Sequence, residues 1–182
     1  MSGKLTLISS ATASDSASVE FTSGIDSTYD EYVFYFLDLA HDTNNEGLRV
    51  NFSSNGGSSY GIATTSTYFR AFHLQDGSVS GLGYKTAYDL ANSTSPQTLT
   101  SEAEPTGDTA SASSSGCFHL YSPSSTTYVK HFQSRFSVFI TNPAELDGYS
   151  SGYVNTTSAI NALKFDASSG TFSGQIHLFG IS

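Results

Sequence analysis

The segment YDEYVFYFLDL (residues 29–39) decides the fold. Its apolar run is nearly continuous and dense in aromatic and β-branched side chains, which favour strands. A strand that is apolar on both sides is typical of a central position with both faces covered. We therefore predict a central β-strand here. A helix is the competing interpretation, and the aromatic content decides against it.

Other segments alternate between apolar and polar residues, which is the period-2 pattern of a strand with one buried face. The pattern is found at residues 5–9, 16–22, 48–52, 65–74, 116–121, 127–140 and 174–181, and more weakly at 81–90. No segment has convincing helical periodicity. The sequence thus predicts roughly nine or ten strands in an all-β, antiparallel, two-sheet sandwich of jelly-roll-like type. We expect the strands at 29–39 and 127–140 to be paired neighbours at its centre.

Length and composition favour one domain spanning residues 1–182. A chain of 182 residues suits a single β-sandwich and can bury a core without a disulfide or metal. Its 13 Phe and 11 Tyr supply large buried areas where aliphatic residues are scarce. Residues 91–115 are rich in Ser, Thr, Ala, Glu and Pro and predict a long polar loop, which is unusual inside a compact domain.

The net charge of the chain and the lack of long apolar stretches argue against some classes of partner. The formal net charge is −9 with only 7 Lys and Arg, so no basic patch is available to neutralise a row of phosphates. We expect no nucleic-acid binding. No apolar stretch approaches the length of about 18 residues that a membrane helix needs, so we expect no membrane insertion. The single cysteine rules out an internal disulfide.

Metal and cofactor sites are not predicted. A zinc site needs three or four converging ligands, usually with one short spacing between them. The five histidines are at least twelve residues apart in sequence; they are His41, His73, His119, His131 and His177. His119 and His177 meet only if their strands pair, and we interpret all five as ordinary histidines of sheet surfaces. The sequence predicts no cofactor and no bound metal.

Catalytic residues are not predicted either. The Gly-x-Ser-x-Gly motif of a nucleophile elbow does not occur. Cys117 lies within a predicted strand, and we interpret it as a buried, inert thiol. Carboxylate pairs such as Asp30/Glu31 would suit glycoside cleavage, but solvated strand and loop charges explain them as well. We therefore predict that the protein is not an enzyme.

Tyrosines near predicted turns are candidates for a binding surface, because aromatic rings present flat apolar faces beside a polar hydroxyl. The candidate binding residues are Tyr84, Tyr88, Tyr149, Tyr153 and Asn155. Stacking on sugar rings is the functional interpretation, and core packing is the alternative for each tyrosine.

Several segments together resemble a family of small virion-associated proteins of tailed phages, marine and cyanobacterial ones especially. They are LISS (7–10), SASVEFTSGIDSTYDEY (16–32), YVKHF (128–132), GYVNTTSAI (152–160) and GQIHLFGI (174–181). The resemblance covers both ends and most of the second half of the chain, whereas residues 40–115 carry little of it. These segments are strand and turn signatures, and no catalytic residue can be carried over from the family.

The resemblance implies a structural protein located in the virion, on the capsid surface or the tail. One option is a cement protein that decorates or clamps the capsid, as a homotrimer in contact with the major capsid protein. The alternative is a tail-fibre or adhesin module that binds a host receptor or surface glycan. Residues 4–9 and the loop 91–115 are the expected contact surfaces of the first option.

Overall fold

The computed structural model describes residues 3–43, 46–100, 112–140 and 144–182. Over these ranges the chain forms twelve strands and no helix, so none long and apolar enough to cross a bilayer is found there. The strands are β1 (Leu5–Ser16), β2 (Ser18–Phe21), β3 (Glu31–His41), β4 (Leu48–Ser53), β5 (Thr64–Leu74), β6 (Ser80–Tyr84), β7 (Gln97–Thr98), β8 (Ser114–Tyr121), β9 (Lys130–Ile140), β10 (Ala144–Val154), β11 (Ala162–Ala167) and β12 (Phe172–Ile181).

The strands form two antiparallel sheets, which confirms the predicted all-β sandwich. The larger sheet has the order β1-β12-β3-β8-β9-β10-β5-β6, and the smaller sheet has the order β2-β11-β4-β7. The predicted central strand is β3, which lies between β12 and β8. The expected pairing of β3 with β9 is wrong, because β8 lies between them and pairs with both.

Phenylalanine rings fill the space between the sheets. Phe165 of β11 is fully buried, and its ring makes edge-to-face contacts with four other phenylalanines, at centroid distances from 5.0 to 6.1 Å. The four partners are Phe21, Phe34, Phe36 and Phe118. Such ring pairs add to the stabilisation that comes from the buried area itself. The small sheet is therefore held to the large one mainly by aromatic packing.

Strand β10 is not among the predicted strands, because Gly148 and Gly152 interrupt the alternating pattern of residues 144–154 and glycine favours a break in a strand. Gly148 and Gly152 instead lie inside the strand because the neighbouring groups leave no room for a side chain. A Cβ at Gly148 would lie 2.5 Å from the hydroxyl of Tyr68, and one at Gly152 would lie 2.5 Å from the backbone oxygen of Thr65. Glycine in a strand commonly marks such a close approach.

The polar segment 91–115 is only partly a loop. Residues 101–111 lie outside the described residues. Before them, Gln97 and Thr98 form β7 against β4, and Leu99 is fully buried. After them, β8 begins at Ser114. The predicted loop around residues 91–115 therefore includes strand residues at both of its ends, and Leu99 belongs to the core beside β7.

His41, at the end of β3, has an unusual environment for a histidine. It is 6 % exposed, it lies beside the ring of Phe172 at 6.0 Å, and neither ring nitrogen has a hydrogen-bond partner among the described residues. Burial lowers the pKa of His41, although the charges of Glu46 and Asp42 oppose this shift. The folded protein therefore holds this imidazole in its neutral form.

We expect this burial to make the protein less stable in mild acid. Below a pH of about 6.5 the unfolded chain binds a proton at His41 that the folded chain does not, so stability falls as the pH drops toward the lower pKa of the folded state. Urea unfolding across this range should show a weaker loss of stability for His41→Phe than for the natural protein. His73→Gln, at an exposed histidine, should leave the natural pH dependence in place. Equal pH dependence in His41→Phe and the natural protein would contradict the assignment.

Candidate functional site on the outer sheet face

The large sheet has one face packed on the core and one face open to solvent, which we call the outer face. Most of the exposed large apolar side chains of the described residues lie on it, and they are Leu5, Leu7, Tyr35, Leu37, Phe69, Leu82, Tyr84 and Phe139. They form separate clusters, with Leu5 and Leu7 at the β1 edge of the sheet and Phe69, Leu82 and Tyr84 toward its β6 edge. Clustered exposed apolar groups commonly mark a surface that binds something. The outer face is therefore the candidate functional site.

Strand register brings residues from seven strands into one line across the outer face. Residues directly opposite each other in antiparallel strands share a face and stand close together. The line, which we call the central row, is His177, Tyr35, Cys117, Arg135, Tyr149, Phe69 and Tyr84. These residues are far apart in sequence, so only the sheet order makes them neighbours.

The middle of the central row is held by stacking and ion pairing. The rings of Tyr149 and Phe69 stack at 4.8 Å with an interplanar angle of 9°, and the guanidinium of Arg135 lies 5.1 Å from the Tyr149 ring. Arg135 donates two hydrogen bonds to Asp147, with Nε–Oδ1 at 3.0 Å and Nη2–Oδ2 at 2.7 Å, and the Tyr149 hydroxyl donates to the same carboxylate at 2.7 Å. These bonds fix the ring and the guanidinium relative to each other.

The hydrogen bonds of this site stabilise Asp147 and Arg135 in their ionised forms. The hydrogen bonds from Arg135 hold the pKa of Asp147 below its usual value, and the bond from Tyr149 acts in the same direction. The hydrogen bond to Asp147 in turn raises the pKa of the Tyr149 hydroxyl. The site thus offers a fixed carboxylate, a fixed guanidinium and a neutral phenol at neutral pH.

Three shallow grooves run beside these residues, and the first shares lining residues with each of the other two. The first has a volume of about 370 Å³ and is lined by Phe69, Cys117, His119, Gln133, Ser134, Arg135, Tyr149, Ser150 and Ser151. The second, of about 430 Å³, shares Cys117 and Arg135 with the first. The third, of about 280 Å³, shares Ser151 with the first and adds Thr65, Thr67, His131 and Tyr153. Together they offer hydroxyl, amide, imidazole and charged groups beside aromatic rings.

One side of the first groove carries a hydrogen-bonded pair of titratable groups. His119 Nδ1 lies 2.6 Å from Glu31 Oε1, and Cys117 lies two residues before His119 on the same face of β8. The neighbouring Cys117 and the hydrogen bond with Glu31 raise the pKa of His119, while partial burial opposes both. Beside them, the Tyr121 hydroxyl donates to Gln133 Oε1 at 3.3 Å. This bond leaves the Gln133 amide nitrogen available to a ligand.

The predicted binding residues separate into two groups. Tyr84 and Tyr149 lie on the outer face in the central row, and Tyr153 lies on the same face near His131, at a ring distance of 6.2 Å. Asn155 is exposed just beyond β10, where its side-chain nitrogen donates to Asn92 at 2.8 Å. Tyr88 is 7 % exposed and packs edge-to-face on Tyr68 at 5.3 Å, so its expected presentation to a ligand is wrong.

Sequence reasoning missed several residues that line the grooves, above all Arg135, Gln133 and Phe69. Part of the signal was present, because the strict alternation of β9 assigns residues 133 and 135 to one face. The alternation does not indicate which strand lies next to β9, and it therefore could not predict the contact of Arg135 with Tyr149. Cys117 also differs from its prediction, since it is half-buried and lines two grooves.

The histidines do not assemble into a metal site within the described ranges. Over those residues no group of three or more His, Cys, Asp or Glu side chains is placed to hold a metal ion. His119 and His177 lie on strands that both flank β3, but they pair with different residues of it, Val33 and Tyr35. His177 instead hydrogen-bonds with the hydroxyl of Ser10 at 2.7 Å.

Comparison with known proteins gives no relative from which a function could be taken. No protein-family model matches the chain, and no curated protein matches it. Among solved structures, an aerolysin-like protein from Bombina maxima aligns over 93 % of this chain and 91 % of that chain, with 8 % identity and a TM-score of 0.12. A similarity this low carries no argument about fold or function.

Proposed function

We propose that the protein is a non-enzymatic virion module of the adhesin type, whose outer face binds a glycan on the host surface. The observation that carries the proposal is the set of adjacent grooves beside the central row. The assignment to a virion rests on the sequence resemblance alone, and the assignment of a ligand class rests on the chemistry of the grooves.

The groove lining suits a sugar because a sugar needs two kinds of contact. Its hydroxyls require polar groups with fixed directions, and its ring hydrogens require an apolar surface. The Arg135–Asp147 pair supplies donors and acceptors in a fixed geometry, and Ser151, which is exposed on the outer face, adds a hydroxyl. The stacked rings of Tyr149 and Phe69 supply the apolar wall beside them.

The charge of the chain favours a neutral glycan. A net charge of −9 repels polyanions over the distance at which an encounter begins. The guanidinium of Arg135, which lines two of the grooves, is already paired with Asp147. Acidic polysaccharides would therefore lack a free cation here, and uncharged hexose-rich chains fit better.

We expect Tyr149→Ala to weaken binding to a neutral bacterial surface polysaccharide at least about tenfold, because a central aromatic anchor commonly contributes more than 1 kcal/mol. A glycan array of bacterial surface polysaccharides would identify the binding chain, and titration calorimetry would measure the affinity. Tyr128→Ala is the matched control, since Tyr128 is 74 % exposed in the segment between β8 and β9.

Saturable binding that Tyr149→Ala weakens and Tyr128→Ala leaves unchanged would support the proposal. Absence of saturable binding to any neutral glycan on the array would contradict it. Equal losses in both variants would also contradict it, because the outer face would then not be the binding surface.

Capsid decoration, the first option that the resemblance implies, is the second candidate here, and one observation favours it. At the β1 edge of the outer face, Leu5 and Leu7 are 43 % and 56 % exposed and lie opposite Ile181 and Phe179 of β12, and the Phe179 ring packs edge-to-face on Tyr35 at 5.6 Å. This apolar patch includes the predicted contact segment 4–9 and suits burial against another virion protein or a second copy, as in the expected homotrimer. Imaging of intact particles distinguishes the two candidates by placing the protein on the capsid or on the tail.

A further inference from the structure

Strand β1 is the longest edge strand among the described residues. It runs over Leu5–Ser16 and has β12 as its one neighbour in the large sheet. The other edge strands are β6, β2 and β7, with five, four and two residues. An unpaired strand edge presents a row of backbone donors and acceptors to which a further strand can add.

The hydrogen bonds between β1 and β12 show which backbone groups of β1 are free. Lys4 and Ser182 exchange two backbone hydrogen bonds, at 3.0 and 3.4 Å. Hydrogen-bonded and non-hydrogen-bonded pairs alternate in an antiparallel ladder, so Leu5 and Leu7 form non-hydrogen-bonded pairs with β12. Their backbone N–H and C=O groups therefore point to the free edge, while their side chains are exposed on the outer face.

The free groups continue beyond a bulge at Ile8. The alternation along β12 runs through this point, so Ser10 and Thr12, which lie opposite His177 and Gln175, also have free backbone groups. The hydroxyl of Ser10 hydrogen-bonds with His177 of the central row, which places it on the outer face as well. The free edge thus has two free residues, two positions apart, on each side of the bulge.

This spacing is self-complementary. When two β1 strands run antiparallel with a two-fold axis at the bulge, Leu5 of one copy lies opposite Thr12 of the other, and Leu7 lies opposite Ser10. All four residues with free backbone groups then meet one another, and the two bulges face each other across the axis. A two-fold interface requires such a surface, because both copies contribute the same residues to it.

Most of β1 lacks the features that keep natural edge strands from pairing. Such strands are usually protected by charged side chains, by proline or by bulges. The segment LTLISSATAS (5–14) contains neither a charge nor a proline. Its one bulge, between Leu7 and Ser9, coincides with the axis and leaves the segments on either side regular. The strand is therefore open to a partner.

The charges at the ends of β1 favour a second copy of this chain as that partner. The net charge of −9 makes two copies repel each other overall, and the uncharged segment 5–14 is a surface where this repulsion is weak. Lys4 precedes the segment and Asp15 follows it. In the antiparallel register described above, Lys4 of one copy lies opposite Ala13 of the other, two residues from Asp15. Opposite charges thus lie at each end of the paired segment.

We propose that two copies of the chain pair antiparallel through β1, so that the large sheet continues from one copy into the other. The interface joins the free backbone groups of both strands and covers part of the exposed surface of Leu5 and Leu7.

Sedimentation of the full chain over a range of protein concentrations tests the pairing. We expect a dimer that dissociates on dilution. Leu7→Lys should weaken it at least about tenfold, because two like charges then lie near the axis and an apolar contact is lost. Leu82→Lys changes the net charge equally and is the matched control, since Leu82 is 74 % exposed in β6. It should leave the dimer unchanged.

A pair of introduced cysteines tests the register. In a Cys117→Ser background, Leu5→Cys with Thr12→Cys should give a covalent dimer on mild oxidation, because opposite residues of paired strands lie within reach of a disulfide. Within one copy the two positions are seven residues apart on an extended strand and cannot be bridged. Leu5→Cys with Ala11→Cys is the control, because Ala11 faces the other side of the sheet and should give no covalent dimer.

Two results would overturn the proposal at the level of mass: a protein that is monomeric at every concentration, and a trimer of the kind that the resemblance implies. A dimer that Leu7→Lys leaves intact would also overturn it. So would equal crosslinking of the two cysteine pairs. Far-ultraviolet circular dichroism shows for each variant that the sheets are retained.

The pairing places the outer faces of both copies on the same side, because opposite residues of paired strands share a face. One polysaccharide chain or surface could then engage the grooves of both copies, which raises the apparent affinity. This consequence rests on the proposed function, whereas the dimer does not. Sedimentation contains no glycan, so a negative glycan array leaves a measured dimer standing, and a monomer that binds glycan contradicts the pairing alone.

Discussion

Replacing Phe165 by alanine should lower the free energy of unfolding by about 3–5 kcal/mol, the range found when a buried aromatic side chain is truncated in a packed core. Phe165 is fully buried, and its ring contacts four other phenylalanines from both sheets. The loss combines the transfer of one large apolar group to water with the cavity that its neighbours cannot fill. Because domains of this kind are commonly stable by only about 5–15 kcal/mol, one substitution removes a large share of the total.

Urea unfolding measures this change as a lower midpoint with an unchanged slope. Phe139→Ala is the matched control, since Phe139 is 36 % exposed on the outer face and lies outside the space between the sheets. Its cost should stay below about 1 kcal/mol, as is usual for a surface side chain. Similar losses for the two variants would show that the ring cluster around Phe165 does not hold the sheets together.

The fold class was predictable because strand formation depends on a local, two-residue period. Strand β9 alternates between buried and exposed positions along its whole length, and its sequence shows this directly. The order of strands was not predictable in the same way. β3 is paired with β8 and β12, which lie about 80 and 140 residues further along the chain, and nothing local in β3 specifies those partners.

Polar residues inside the sandwich also made some buried positions unpredictable from the sequence. Ser134 and Ser150 face the interior of the large sheet, where their hydroxyls satisfy each other at 2.6 Å. A hydroxyl pair of this kind is tolerated in a core because both groups are hydrogen-bonded. From the sequence alone, however, a serine at such a position is predicted to be exposed. β1 was likewise predicted only over residues 5–9, although its pairing with β12 extends it to Ser16.

The candidate site was predictable in its residue types and not in its geometry. The sequence predicts Tyr149 and Tyr153 near a turn, whereas both lie inside β10 and point to the outer face. What makes Tyr149 part of a site is its contact with Arg135 and Phe69, which come from two other strands. Those contacts depend on the register of three strands, and register is a property of the assembled sheet.

Gly116→Val should be the second strongly destabilising change, costing about 3 kcal/mol, because overpacking a closed site forces the backbone or its neighbours to move. Gly116 lies in β8 between Phe36 and Phe136. A Cβ there would lie 2.4 Å from the backbone oxygen of Arg135 and 2.6 Å from the ring of Phe136. The first contact is with the backbone of a paired strand, so a change of rotamer cannot relieve it.

Gly83→Val is the control, because a Cβ at Gly83 would meet nothing within 4 Å and the residue lies in the exposed edge strand β6. A β-branched residue suits a strand better than glycine does, so this variant should be as stable as the natural protein or slightly more stable. Thermal and urea unfolding of both variants test the comparison. If Gly116→Val were as stable as Gly83→Val, β8 could not lie as close to β9 as the structure has it, and the groove between Cys117 and Arg135 would have a different shape.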